Sequence, residues 1–408
     1  MQAMKRRHFI RLSGVGFLSQ VSRGYGGILV SSAKTASRVK PEMRYDPWIE
    51  LNVAHLGWNL SQIKKRVKVP VMAVIKGNAY GHGLVEIGQA LERHGVDQLM
   101  VAKLQEAVLL RECGVRVPIL NFGPLHESDA DVIIQHDISQ SVFTSDVNGL
   151  NAYAVAQGKK ARVHIHVDTG MTRMGISARK ALPYIEEVSK LGGIVVEGIS
   201  STFTEGEELD KEQLRIFIDV CQKASAKGIR IGLRHIASSD AVLDMPESYL
   251  DLVRPGTCLY GAYPNQKTQE TDPLKLRPVM QLKCRVVAVK TLEPGGGVSY
   301  HHRYKAQKRE KIAILAVGYS DGYPPRAMGK ARVLIQGKRL PLIASITANH
   351  CEVLLGEMSS VKKGDEVVLL GTQGKESIWS PEIGEWDGTS SYKIMFGMSP
   401  FLPRVVSG

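Results

Sequence analysis

The chain has 408 residues, of which 43% are hydrophobic and 23% charged. That is enough for two domains or for one large barrel with a smaller partner, and it is ordinary for a soluble globular protein. The formal net charge is +13, but eight basic residues and no Asp or Glu occupy the first forty positions, so +5 remains on the other 368. A folded body of that charge needs no polyanion, and no basic nucleic-acid motif is present.

The first element is a leader. "KRRHFIRL" (5–12) pairs two arginines, then gives a spacer, a Phe, an apolar residue and a base. It resembles a twin-arginine export signal. This predicts a periplasmic or exported protein, cut near Ala33–Ser37; a disordered basic tail, or a misplaced start codon on a cytoplasmic protein, is the alternative. The apolar stretch Leu12–Val30 is broken by Arg23 and diluted by Gly and Ser. It is too weak to span a membrane, so stable insertion is not expected. Residues 1–42 are set apart from the fold on this reading.

From 43 to 275 the pattern alternates between short apolar runs and amphipathic stretches. "PVMAVIK", "QLMVA", "VPILNFG", "RVHIHVD", "GIVVEGIS" and "RIGLRHIA" read as strands; 84–95, 103–114, 177–190 and 210–227 read as helices. Alternation over this length predicts an α/β fold, a (β/α)8 barrel, with a doubly wound sheet as the alternative. "KGNAYGHG" (76–83) is neither a GxGxxG nor a Walker sequence, which weighs against that alternative. From 276 to 408 strand runs separated by Gly, Pro and charged turns predict a mostly β domain. The five cysteines, Cys113, Cys221, Cys258, Cys284 and Cys351, lack metal-binding spacing, and no His/Cys/Asp cluster suggests a metal.

The chemistry starts at Lys76. It ends a buried strand and opens a glycine-rich loop, where partial desolvation lowers a lysine's pKa and makes it a nucleophile. A lysine merely snorkelling to solvent is the bland reading, and Tyr80 with the glycines weighs against it.

"VIKGNAYGHG" (74–83) resembles the cofactor-lysine motif of the alanine racemase family, with Gly77 in place of the usual Ala. "HVDTGMTRMG" (166–175), "RPGTCLYG" (254–261), "GGVSYHHRY" (296–304) and "VGYSDGYPPR" (317–326) resemble further segments of that family, in family order. The resemblance implies a homodimer whose sites are completed by the partner's β domain, with an amino acid as the small-molecule substrate. It implies pyridoxal 5'-phosphate on Lys76, its phosphate gripped by Tyr80, Ser239, the Gly256–Thr257 backbone and Tyr392, and Arg254 facing its pyridine nitrogen. Arg173 would seat the substrate carboxylate, and Tyr300 of the other subunit would be the second base opposite Lys76. Two bases on opposite faces are what inverting a stereocentre needs.

Several positions depart from the family pattern. His166 stands where a carbamylated lysine braces the residue aligned with Arg173, and Thr202 replaces a histidine beside the pyridine-facing arginine. In "SITANHC" (345–351), Ser345 replaces an arginine, Ala348 a methionine and Asn349 an aspartate. The last three imply a roomier substrate pocket formed by Ala348 and Asn349, as in exported broad-specificity racemases. An alanine-specific racemase for the cell wall, a decarboxylase on the same fold, and a cofactor-binding protein without turnover are the rivals.

Overall fold

In the computed structural model, residues 46–408 are described apart from Glu357 and Ser359; the leader 1–42 lies outside them. Met72–Val74 (β2), Gln98–Val101 (β3), Ile119–Asn121 (β4) and Ser139–Val142 (β5) are buried along almost their whole length. Strands buried on both faces belong in a parallel sheet covered by helices. They pair in that order, followed by Ala161–Asp168 (β6), Ile194–Ser200 (β8) and Leu233–His235 (β9), all parallel; Ile176–Ser177 (β7) adds to the end of β6.

The ring closes through an extended segment rather than a regular strand. Arg254 N donates to Ala237 O, and Asp251 N to Arg234 O, on the β9 side. On the other side Val253 N donates to Pro70 O, Met72 N to Val253 O and Val74 N to Pro255 O. Residues 251–255 therefore fill the eighth place, and helices such as Leu84–Arg93, Ala178–Ser189 and Glu207–Ala226 cover the outside. This is a (β/α)8 barrel.

The first described strand lies elsewhere. Trp48–Asn52 (β1), inside the segment 43–275 read as barrel, pairs with Met280–Leu292 (β10) and with Arg404–Ser407 (β19). It belongs to the C-terminal sheet because its two inward residues, Ile49 and Leu51, complete that core. Gly297–Val298 (β11) and Tyr304–Lys305 (β12) form a separate hairpin. Glu310–Leu315 (β13), Arg332–Ile335 (β14), Lys338–Ile343 (β15), Cys351–Leu354 (β16), Glu366–Gln373 (β17) and Glu376–Ile378 (β18) complete nine strands, in the order β18-β17-β14-β15-β16-β13-β10-β1-β19. β10 also pairs with β17, bending at two register shifts to serve both neighbours.

Two devices join barrel and sheet. Helix Val53–Val67 starts at Asn52, whose side chain accepts from His55 N. Its buried Asn59 donates to Leu259 O and Arg277 O and accepts from Arg277 N, pinning the connection between the two parts. At the far end, helix Ser391–Phe396 returns to the barrel mouth.

Candidate active site

Lys76 follows β2 after a single residue, Ile75, and the next four residues turn the unusual way. Gly77, Asn78, Ala79 and Tyr80 all have positive φ, between 52° and 61°. A left-handed turn suits Gly and tolerates Asn, but costs an L-residue with a bulkier side chain roughly 1–2 kcal/mol. The surroundings hold it. Asn78 N donates to the Glu106 carboxylate, and Asn78 Oδ1 accepts from Leu84 N. His82 Nδ1 sits 3.0 and 3.1 Å from Ala79 O and Tyr80 O. The loop that the sequence leaves shapeless is thus a braced left-handed turn.

The β domain of the same chain closes over that turn. A Cβ on Gly77 would lie 2.3 Å from the Phe396 ring, and one on Gly81 would lie 2.0 Å from Met395 O. Glycine at both positions lets helix Ser391–Phe396 seat against the turn. Tyr80 stacks on Tyr260 at 4.9 Å and meets Tyr392 edge-on at 5.2 Å and Phe396 at 4.4 Å. Burial raises the pKa of the Tyr80 phenol, so it stays protonated and can donate.

The ends of β2, β6, β8, β9 and the eighth segment converge on one mouth. Ser239 Oγ accepts from Gly256 N at 2.9 Å and from Cys258 N at 3.3 Å, tying two strand ends together. A Cβ on Gly256 would sit 2.3 Å from the Tyr80 hydroxyl, so glycine is required for this approach. The Ser239 and Tyr80 hydroxyls meet at the start of a short turn (Thr257–Tyr260), and groups of this kind suit an anion cradle. Tyr392 stands edge-on to Tyr80 and is exposed.

The Lys76 side chain is half-buried, and its amine has no hydrogen-bond partner among the described residues. Burial lowers its pKa, and the charges of Arg173 and Arg254 lower it further against Glu106 and Glu205. Such an amine spends more time unprotonated at neutral pH. Arg254 is only 5% exposed. It donates to His235 Nδ1 and to the carbonyls of Ser201 and Ile236, and burial pulls its pKa down to about 9, still above neutrality.

Arg173 is exposed in the loop after β6 and has no polar partner among the described residues. Asp168 does not bond it; its carboxylate accepts from Gly170 N and Thr172 N and shapes the loop. His166 does not brace Arg173 either. Its Nδ1 faces Ser200 Oγ at 3.0 Å, its ring meets Phe122 edge-on, and burial with the Arg254 charge lowers its pKa to about 3. Thr202 uses its carbonyl to accept from Gln213.

The remaining predicted residues lie apart from this cluster within one chain. Tyr300 stands in the turn of the β11–β12 hairpin, 72% exposed, with positive φ at Ser299, His301 and His302 around it. Ala348 and Asn349 lie in a β-domain loop, where Asn349 Nδ2 donates to Ser320 Oγ at 2.6 Å and Ser320 donates to Ala348 O. No hydrogen bond or ring contact among the described residues joins Tyr300, Ala348 or Asn349 to Lys76. Sequence reasoning missed Glu106, Phe396 and Met395, which shape the Lys76 turn, and His235, which holds Arg254.

The lone amine, the anion cradle and the buried guanidinium fit a phosphorylated cofactor that joins a lysine, which sets the class: a pyridoxal-phosphate enzyme built as barrel plus β domain. The comparisons give the family. A family model described as alanine racemase, N-terminal domain, matches residues 51–264, and alanine racemase, C-terminal domain, matches 279–406. "Alanine racemase 1" of Clostridium acetobutylicum is 36% identical over 365 residues, covering 88% of this chain and 94% of that one. "Alanine racemase" of Desulforamulus reducens is 36% identical over 374 residues, covering 90% and 100%. Among solved structures, alanine racemase of Clostridium difficile 630 superposes with a TM-score of 0.84 at 32% identity, over 90% of this chain and 96% of that one. The alanine racemase from Bacillus anthracis with bound L-Ala-P gives 0.82 at 30% identity, over 90% and 96%. The chain belongs to the alanine racemase family and is a pyridoxal-phosphate-dependent amino-acid racemase. Relatives named for alanine favour the alanine-specific reading over the broad range expected from Ser345, Ala348 and Asn349.

Proposed function

We propose that this chain interconverts L- and D-alanine. The relatives' names support the substrate, and the observation that carries the chemistry is the unpartnered, half-buried Lys76 amine at the barrel mouth. Pyridoxal phosphate, when bound, delocalises the negative charge left at the substrate Cα. Tyr80, Ser239, the Gly256–Thr257 backbone and Tyr392 would hold its phosphate, and Arg254 would face its pyridine nitrogen. Arg173, exposed and without a protein partner, seats the substrate carboxylate. Lys76 Nζ takes or returns the Cα proton on one face. The Tyr300 hydroxyl, from a second copy of the chain, does so on the other, which explains why it stands clear of Lys76 in one chain.

The experiment is incubation of the loaded protein with single L-amino acids (Ala, Ser, Lys, Arg, Gln, Met) and chiral chromatography of the products. D-alanine alone supports this reading. D-product from several, lysine or arginine among them, would replace it with a broad range. That second reading is favoured by the loop at 347–350, where Asn349 is tied to Ser320 and Ala348 offers only a methyl group. D-product from none would overturn both. The leader supports export as a further part of the proposal, tested by whether a deletion of residues 1–42 keeps the protein in the cytoplasmic fraction.

A further inference from the structure

A polar chain runs through the barrel interior from Arg254 to the opposite end of the strands. Arg254 Nη1 and His235 Nδ1 are 2.9 Å apart. His235 Nε2 and His164 Nδ1 are 2.8 Å apart. His164 Nε2 lies 3.3 Å from a carboxylate oxygen of Glu197, which also accepts from Ser139 Oγ at 2.6 Å. Arg162 stands 3.6 Å from the other Glu197 oxygen and pairs in turn with Asp137. Both histidines are fully buried, while the Glu197 side chain is 27% exposed near the N-terminal ends of β5 and β6.

The protons in this chain can be placed by elimination. A guanidinium only donates, so His235 Nδ1 accepts. Burial and the Arg254 charge keep His235 neutral, so its one proton is on Nε2. His164 Nδ1 must then accept, and the His164 proton is left on Nε2, aimed at Glu197. Turning either ring's tautomer round would set two N–H groups against each other. The carboxylate end fits this polarity: burial would raise the Glu197 pKa, but hydrogen bonds from His164 and Ser139 and the Arg162 charge outweigh it and hold it below the usual carboxylate range.

Arg254 has no carboxylate in contact among the described residues. Its direct acceptors are one imidazole nitrogen and backbone carbonyls. Two imidazole dipoles aligned head to tail, with an anion at the far end, polarise one another toward the cation. We propose that Glu197 and His164, acting through His235, are positioning residues for Arg254: the carboxylate accepts at the far end of the relay and so anchors both rings and the guanidinium they hold beneath the site. This rests on the reading that Arg254 faces the cofactor's pyridine nitrogen.

The test is 15N-histidine NMR on the full-length protein with its cofactor bound, His164 and His235 being assigned from single His→Asn variants. In the wild type both rings are expected neutral with the proton on Nε2. Glu197→Met should leave the His164 Nε2 proton without its acceptor, shift the 15N signals of both rings, and lower kcat on the order of tenfold with KM within about twofold, as when a group that orients another is removed. Glu197→Gln, which restores an acceptor without the charge, should recover the signals in part and part of kcat. A wild-type proton on Nδ1 of either ring would overturn the relay. So would Glu197→Met with unchanged 15N signals and unchanged kcat. If instead Arg254→Lys leaves the visible absorbance of the bound cofactor unaltered while the wild-type tautomers are as expected, the relay stands and the placement of Arg254 at the pyridine fails.

Discussion

The two bases assigned to this enzyme live in opposite surroundings. Lys76 is enclosed by its own chain: a left-handed turn, a carboxylate from Glu106, and Phe396 and Tyr392 returning from the C-terminal helix. Tyr300 is on an isolated hairpin with 72% of its surface open and no such enclosure. One half of the chemistry is prepared within a single chain, where burial and two cations adjust the amine. The other half, on the proposed reading, takes its environment from a second copy of the chain. The difference teaches that in this fold the tuning of a base and its delivery are separate tasks.

The sharpest way to break this comparison is to remove each base in turn. Lys76→Ala is expected to reduce racemisation by at least 10³-fold, in the upper range for a general base, and to abolish the cofactor's visible absorbance on the purified protein. Tyr300→Phe should cost roughly 10²-fold or more with the absorbance retained. An unchanged rate of proton exchange at Cα in Tyr300→Phe would remove Tyr300 from the mechanism. If the two halves come from different copies, co-refolding Lys76→Ala with Tyr300→Phe should restore about a quarter of wild-type activity, because half of the pairs then contain one intact site. No recovery on mixing would place both bases in one chain.

Smaller effects sharpen the description of the enclosed half. His82 and His166 are buried, and burial, the largest cause for each, lowers both to about 3 from an ordinary 6.5. The folded state therefore refuses protons that the unfolded state takes up below pH 6.5, so stability is full above that pH and falls as pH drops. At pH 5 the two should together cost about 4 kcal/mol, read as a Tm well below the pH 7.5 value. A Tm that is flat between pH 7.5 and 5 would contradict the burial of neutral rings. Smallest is Gly77→Ala, expected to cost roughly 1–3 kcal/mol in denaturant unfolding from the left-handed φ and the Phe396 contact. The double variant with Phe396→Leu should cost less than the sum, since the two share one contact.

Much of this was legible in the sequence, for physical reasons. Short apolar runs and amphipathic helices alternating over two hundred residues leave few options besides a parallel barrel, and Lys76 announces itself as a cation at the end of an apolar run. His164 and His166, two apart in "VHIHVD", necessarily share one face of β6, so a polar barrel interior could be read there. What no local pattern carries is which residues meet after closure. That His235 and Glu197 flank His164 depends on strands thirty to seventy residues away. "WIELN" reads as a strand in any setting, and only its partners at 280–283 and 404–407 decide its sheet. The left-handed turn was hinted at by Gly77 and Asn78, but Ala79 and Tyr80 argue against it locally and are overruled by their contacts.

The position of β1 reaches beyond packing. It lies between β10 and β19, inside the sheet rather than at its edge, while the whole barrel intervenes in the chain between it and both neighbours. In topological terms the barrel is an insertion within the β domain. A fragment beginning at residue 276 would therefore lack an interior strand, and β19 would have nothing to pair with. During synthesis, Trp48–Asn52 leaves the ribosome first and must wait, unpaired, until more than two hundred further residues have been made.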